Sequence, residues 1–202
     1  MISRYRTLKG LSEGLYKEKG SKFIGYAIPC YSGEEAKILL DEWRKQHHQA
    51  RHLCYAYRFG ADMKVYRAND DGEPSNSAGA PILGQIKSYE LTNVLIGVIR
   101  YYGGTKLGVG GLITAYKTAA QEAIEAGSIV EREMMDFIEI SFDYKDMPEV
   151  MNTIKRLDLQ VIAKDFSEYG KMKLALELER AGSVKNSLKE FDSLELTELG
   201  RS

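Results

Sequence analysis

VLIGVIRYYGGTKLGVGGLITAY, Val94–Tyr116, is the stretch on which the fold turns. Val94 to Tyr101 is so uniformly apolar and branched that it predicts a central strand covered on both faces. Five glycines follow between Gly103 and Gly111. A glycine costs about 0.5–1 kcal/mol of chain entropy relative to alanine unless the backbone needs a conformation that only glycine adopts. From Gly111 to Ala126 the residues Leu112, Ala115, Tyr116, Ala119, Ala120, Ala123 and Ile124 predict a helix whose small residues pack closely on a sheet. Gly127 reads as its C-cap.

Upstream, Leu15–Glu18 and Phe23–Ile28 form a hairpin pattern around Lys19-Gly20-Ser21. Ser32 and Glu35 have capping-box spacing, and Ala36, Leu39, Leu40 and Trp43 supply the apolar stripe of a helix ending at His47 and His48. Leu53, Tyr55 and Tyr57 alternate with Cys54, Ala56 and Arg58 as a strand, and after Gly60-Ala61-Asp62 a second strand, Met63–Ala68, pairs back. Asn69–Pro81 is turn-rich, with Pro81 as the first residue of a short helix reaching Tyr89.

Downstream the pattern restarts. Phe137–Phe142 is a strand, Met147 to Leu157 a helix, Leu159–Phe166 and Met172–Glu179 strands, Val184 to Phe191 a helix, and Leu194–Thr197 a last strand. That order, βαββαβ, is the ferredoxin-like arrangement and places a domain boundary near residue 135, giving domains 1–135 and 136–202 of α+β class. The open face of the Met172 strand carries Lys173, Ala175 and Glu177, which argues against base stacking on that sheet.

The longest apolar run is too short to span a bilayer, and the opening MISRYRTLKG carries no apolar core of a leader. Two cysteines, Cys30 and Cys54, exclude a disulfide framework and suit a reducing compartment. The expectation is a cytoplasmic protein. Net charge is -1, but residues 1–135 hold 18 Lys+Arg against 15 Asp+Glu and residues 136–202 hold 10 against 14, so any basic working surface belongs to the first domain.

The glycine loop runs into a helix, so it either directs amide hydrogens and the positive helix end at an anion, with Lys106 adding charge, or packs under a neighbouring segment. Nucleotide-hydrolysis and dinucleotide motifs fail: Val109 and Gly110 follow Gly108 where Lys and Ser or Thr belong, and Ile113 replaces a third glycine. Asp70, Asp71 and Glu73 lack calcium-loop spacing and read as turn chemistry or an acidic patch rather than a metal site. His52 and Cys54 share a strand face; a packed histidine and a buried thiol are the default. Tyr101 and Tyr102 either stack on a base or pack.

ARHLCYAY (50–57), DDGEPSNSAGAPIL (70–83), Thr92-Asn93-Val94 and RYYGGTKLGVGGLITAY (100–116), with KGSKFIGYAIP (19–29) upstream, resemble the signature of the YigZ/IMPACT family, in its bacterial YigZ-like branch. Ser77 stands where that family usually has Thr, and Thr114 where an Arg is usual, which removes a cation from the first turns of the helix. The resemblance implies a first domain like domain IV of elongation factor G, with a left-handed βαβ crossover, and a second like its ferredoxin-like domain V. It also implies a link to translation, where eukaryotic members act by competing for an activator of an initiation-factor kinase through additional regions, a partnership not carried over here.

The expected function is therefore a non-catalytic binding protein engaging a ribosome, RNA or translation factor, or a phosphate-type anion, without cofactor, metal or membrane. Its surface would comprise Asp70, Asp71, Gly72, Glu73 and Pro74 with Arg100, Tyr101, Gly103, Gly104, Lys106, Gly108, Gly110 and Gly111. The alternative is an enzyme acting on a phosphorylated small molecule or nucleotide at the same surface.

Overall fold

The computed structural model describes residues 4–60, 62–191 and 193–201. The chain divides into two compact units, residues 5–132 and residues 133–201 with Arg4. Both are mixed α/β, built on antiparallel sheets. Among the described residues no helix is long and apolar enough to cross a membrane.

β1 (Arg4–Leu8) pairs with β7 (Ile129–Glu133) as a two-stranded ribbon, all of it but Arg4 and Glu133 in the first unit. The main sheet has five strands in the order β2 (Ser12–Glu18), β3 (Ser21–Pro29), β6 (Val94–Tyr101), β4 (His52–Phe59) and β5 (Val65–Asn69). Lys19 and Gly20, at φ +45° and +81°, form the two-residue hairpin turn between β2 and β3, with Glu18 opposite Ser21. Positive φ at both central residues matches the turn twist to that of the strands. The predicted strand after Gly60 begins at Val65 instead of Met63, and Ala61 lies outside the described residues.

β6 is buried on both sides, as its composition predicts. Val94, Ile96 and Val98 meet α2 (Gly79–Ser88) and α3 (Gly108–Glu125), whereas Leu95 and Ile99 meet Trp43 of α1 (Gly33–Gln46) on the opposite face. The Ser32 hydroxyl accepts from the Glu35 amide at 3.1 Å as the capping-box spacing predicts, while the Glu35 carboxylate reaches one residue further back and accepts from the Tyr31 amide at 2.8 Å.

Two helix starts differ from expectation. α2 begins at Gly79 rather than Pro81, because the Asp70 carboxylate, arriving from the preceding loop, accepts from the Ala78 and Gly79 amides at 3.0 and 2.8 Å and caps the helix there. α3 begins at Gly108 rather than Gly111, so Gly108, Gly110 and Gly111 form its first turn and the glycine loop proper ends at Leu107. Gly127 follows the C-cap Ala126 and serves close approach to Ser12 rather than a left-handed cap.

The second unit runs β8 (Met135–Phe142), α4 (Met147–Arg156), β9 (Gln160–Asp165), β10 (Gly170–Glu177), α5 (Leu178–Leu188) and β11 (Glu195–Arg201), with sheet order β11-β8-β10-β9. Leu178 and Glu179 belong to α5, not to the preceding strand as expected. Ile138, Ile140, Met172, Leu174 and Leu176 turn inward against Val150, Ile154, Val184 and Leu188 of the helices. Their alternation on the strands and their three- and four-residue spacing on the helices close a two-layer core. We propose that this unit folds on its own. A fragment spanning 133–202 is expected to unfold cooperatively in urea by far-ultraviolet circular dichroism; a fragment without a transition would place the boundary elsewhere.

Candidate functional site: a basic cavity at the start of α3

Adjacent strands bring the site together. His52 on β4 sits directly opposite Arg100 on β6, and both face α2 and α3 rather than α1. Arg100 is only 6% exposed, and a guanidinium in that position needs a counter-charge. Glu73 supplies it from the turn before α2: Arg100 Nη1 lies 2.6 Å from Glu73 Oε1, and the side chains are 7% and 5% exposed. The same oxygen accepts from the Tyr116 hydroxyl of α3 at 2.8 Å. Arg100 also lies over the rings of Phe23 and Tyr102, at 5.4 and 5.5 Å to their centroids.

His52 Nδ1 is 2.8 Å from the Asp71 carbonyl oxygen. A carbonyl only accepts, so this contact places a proton on Nδ1 and turns Nε2 toward Glu73 Oε1, 4.0 Å away. The Cys54 thiol donates to the Asp70 carbonyl at 3.0 Å, and burial pushes it far above its ordinary value, with Glu73, Asp71 and Asp70 adding to the shift. Burial likewise raises the Tyr116 hydroxyl, so both groups stay protonated at neutral pH.

A cavity of about 470 Å3 opens beside this cluster, lined by Arg51, His52, Glu73, Pro74, Arg100, Tyr102, Lys106, Leu107, Gly108, Val109 and Leu112. Of the residues expected from sequence, Glu73, Pro74, Arg100, Lys106 and Gly108 meet here. Asp70 and Asp71 do not line it. Asp70 accepts from the Asn76, Ala78 and Gly79 amides, and Asp71 accepts from the Leu53 amide at 2.6 Å and pairs with Arg44 at 2.7 Å. These carboxylates are spent on the loop and its neighbours. Among the described residues no three His, Cys, Asp or Glu side chains gather as a metal site.

Tyr101 lies on the other face of β6, its hydroxyl 2.9 Å from His47 Nδ1, while His47 Nε2 meets the Tyr26 hydroxyl at 3.0 Å. Gly72, at φ +85°, shapes the turn beside His52. Gly103 packs on the β2–β3 turn, Gly104 adopts φ +88°, and Gly110 and Gly111 lie within the first turn of α3. Thr114 is exposed and returns its hydroxyl to the Gly110 carbonyl at 3.1 Å.

Sequence reasoning missed Arg51, Leu107, Val109 and Leu112, and set His52 down as core packing. The available signal was the Arg51-His52 pair opening a strand, since side chains at a strand end lie beside the loops of neighbouring strands. Arg51 lies 5.7 Å from the Tyr102 ring centroid, so two guanidiniums converge on one half-exposed aromatic ring.

Fold and cavity define an α+β protein of two units whose first unit carries a basic, aromatic-rimmed cleft at a helix amino end. The model of the Impact N-terminal domain matches residues 19–124, which includes every residue lining the cleft. The chain belongs to the IMPACT family, whose bacterial members include YigZ of Escherichia coli. The family member YvyE of Bacillus subtilis is 34% identical over 168 residues, 83% of this chain and 77% of that protein. A crystal structure described as that of a hypothetical protein superposes with a TM-score of 0.77 at 26% identity, over 97% of each chain. A structure described as the two-domain translational regulator Yih1 is 25% identical over 59% of this chain and 48% of that one, with a TM-score of 0.39.

Proposed function

We propose that the chain is a non-catalytic binding protein linked to translation in the cytoplasm, and that its first unit engages a ribosomal, RNA or translation-factor partner through the cleft at the start of α3. The observation that carries this reading is the cleft itself. Arg51 and Lys106 stand around a buried Arg100 whose charge Glu73 already balances, so the surplus charge is positive. Membership of a family whose eukaryotic members act in translational control supplies the setting, and Yih1 is described as a translational regulator.

Two finer assignments accompany it. The β3–α1–β4 connection crosses β6 and joins parallel strands, which supports the elongation factor G domain IV likeness; we assign it the left-handed crossover of that domain. The βαββαβ order of the second unit, with strand order 4-1-3-2, supports a ferredoxin-like fold.

Binding suits the cleft better than turnover, because Glu73 and Cys54, two groups able to do acid-base or nucleophilic work, are engaged within the protein. Glu73 Oε1 takes hydrogen bonds from Arg100 and Tyr116, and the Cys54 thiol is buried and protonated. Lys106→Glu is expected to reduce sedimentation with ribosomal particles at low salt, and the equivalent reversal at Lys173 in the second unit to leave it unchanged. Few neutralised phosphates mean a shallow dependence on salt. Wild-type protein that never sediments with particles would remove the ribosome or RNA reading, and turnover of a phosphorylated small molecule that is lost on Lys106→Glu would replace it with the enzymatic one.

A further inference from the structure

The cleft is not uniformly polar. Tyr102 is 41% and Val109 53% exposed, and together with Pro74, Leu107 and Leu112 they give its lining an apolar, partly aromatic component. Positive charge borders the same space. α3 starts without a side-chain cap and without an acidic residue in its first turn, so its positive amide end is not offset locally. Lys106 and Arg51 line the same space.

Arg100 is more than nine-tenths buried and lines the same cleft, but its Nη1 is committed to Glu73, so the uncompensated cations of the lining are Arg51 and Lys106. Guanidinium, ammonium and helix amides all favour an oxyanion, most of all a phosphate. The volume, about 470 Å3, falls within the usual range of small-molecule sites, and the aromatic part of the lining suits a planar base.

We propose that the cleft is a nucleotide subsite, with the phosphate held by Arg51, Lys106 and the start of α3, and the base against Tyr102 and Val109. The proposal rests on the binding function assigned above and narrows its ligand to nucleotide chemistry, whether as a free mononucleotide or as a nucleotide within single-stranded RNA. An acidic peptide would satisfy the cations but would leave the aromatic part of the lining without a counterpart.

Calorimetric titration of the full chain tests this with 5′-AMP, adenosine, inorganic phosphate, hexa-adenylate and hexaglutamate. AMP is expected to bind at least about tenfold more tightly than adenosine, the worth of a charge-assisted contact. Arg51→Glu and Lys106→Glu should each weaken AMP by about tenfold; both side chains line an open cleft, so the variants retain the fold even if a substitution at buried Arg100 does not. Tyr102→Ala should weaken AMP without weakening inorganic phosphate, and Arg67→Ala, at the α1 side of the sheet, should alter neither. Hexa-adenylate binding more tightly than AMP identifies RNA as the source, and equal or weaker binding identifies the free nucleotide. Equal affinity for adenosine and AMP, tighter binding of hexaglutamate than of any nucleotide, insensitivity to both charge reversals, or no binding of any probe at millimolar concentration would overturn the subsite. Particle sedimentation that persists alongside such a result removes the nucleotide and leaves the binding function; loss of sedimentation alone removes the function.

Discussion

Replacing Glu73 by alanine is expected to destabilise the first unit by about 3–5 kcal/mol, the cost of leaving one member of a buried ion pair without the other. Arg100 is 6% exposed, and among the described residues no other carboxylate hydrogen-bonds its guanidinium. The Tyr116 hydroxyl would lose its acceptor at the same time. Trp43, the chain's single tryptophan, is 4% exposed beneath the main sheet, so its fluorescence during denaturant unfolding reports this unit. A double variant, Glu73→Leu with Arg100→Met, should lose clearly less than the two single changes together, because apolar replacement of both partners removes the unpaired charge. A Glu73→Ala transition within about 0.5 kcal/mol of wild type, the range of an ordinary surface substitution, would show that Arg100 is not left as an uncompensated buried charge.

The second large effect is expected at Gly103. A Cβ there would sit under 3.0 Å from the backbone of Gly20 and Ser21, and neither neighbour is the movable end of a side chain. Either β6 or the β2–β3 hairpin must shift, and the Gly103 amide donates to the Ser21 hydroxyl at 3.1 Å across the same contact. Gly103→Ala should cost about 1–3 kcal/mol, as overpacking of a tight site does. Gly104 differs in kind. A Cβ there meets nothing within 4 Å, but φ is +88°, so alanine costs about 1 kcal/mol through backbone strain alone. Trp43 fluorescence in urea separates the two, and equal, negligible changes in both variants would leave the glycine cluster without a packing role.

Much of the fold was legible in the sequence wherever the signal was local. The Val94–Ile99 run marked a strand buried on both faces, Lys19-Gly20-Ser21 marked a hairpin, and Ser32 with Glu35 marked the start of α1. Each depends on residues within a few positions of one another, where periodicity and turn chemistry act directly. The starts of α2 and α3 were misplaced because neither is set by its own residues alone: Asp70 reaches from the preceding loop to cap α2, and α3 takes three glycines into its first turn while its packed face lies against β2 and β3. The β1–β7 ribbon was not read at all, since its strands are more than 120 residues apart, as the ion pair between Arg4 and Glu133 shows.

The same division holds at the cleft. A lysine among glycines ahead of a helix put Lys106 and Gly108 on one candidate surface from composition and order, with anion binding and packing both left open. Nothing in the local pattern joined them to Arg51 or His52, or separated Glu73 from Asp70 and Asp71 in the same turn. Those assignments follow from the pairing of His52 with Arg100 across β4 and β6, and from which carboxylate reaches the buried guanidinium first. Helical and strand periods are properties of neighbouring residues and survive in the sequence. Which side chains meet across a sheet depends on strand order and register, which only the folded chain decides.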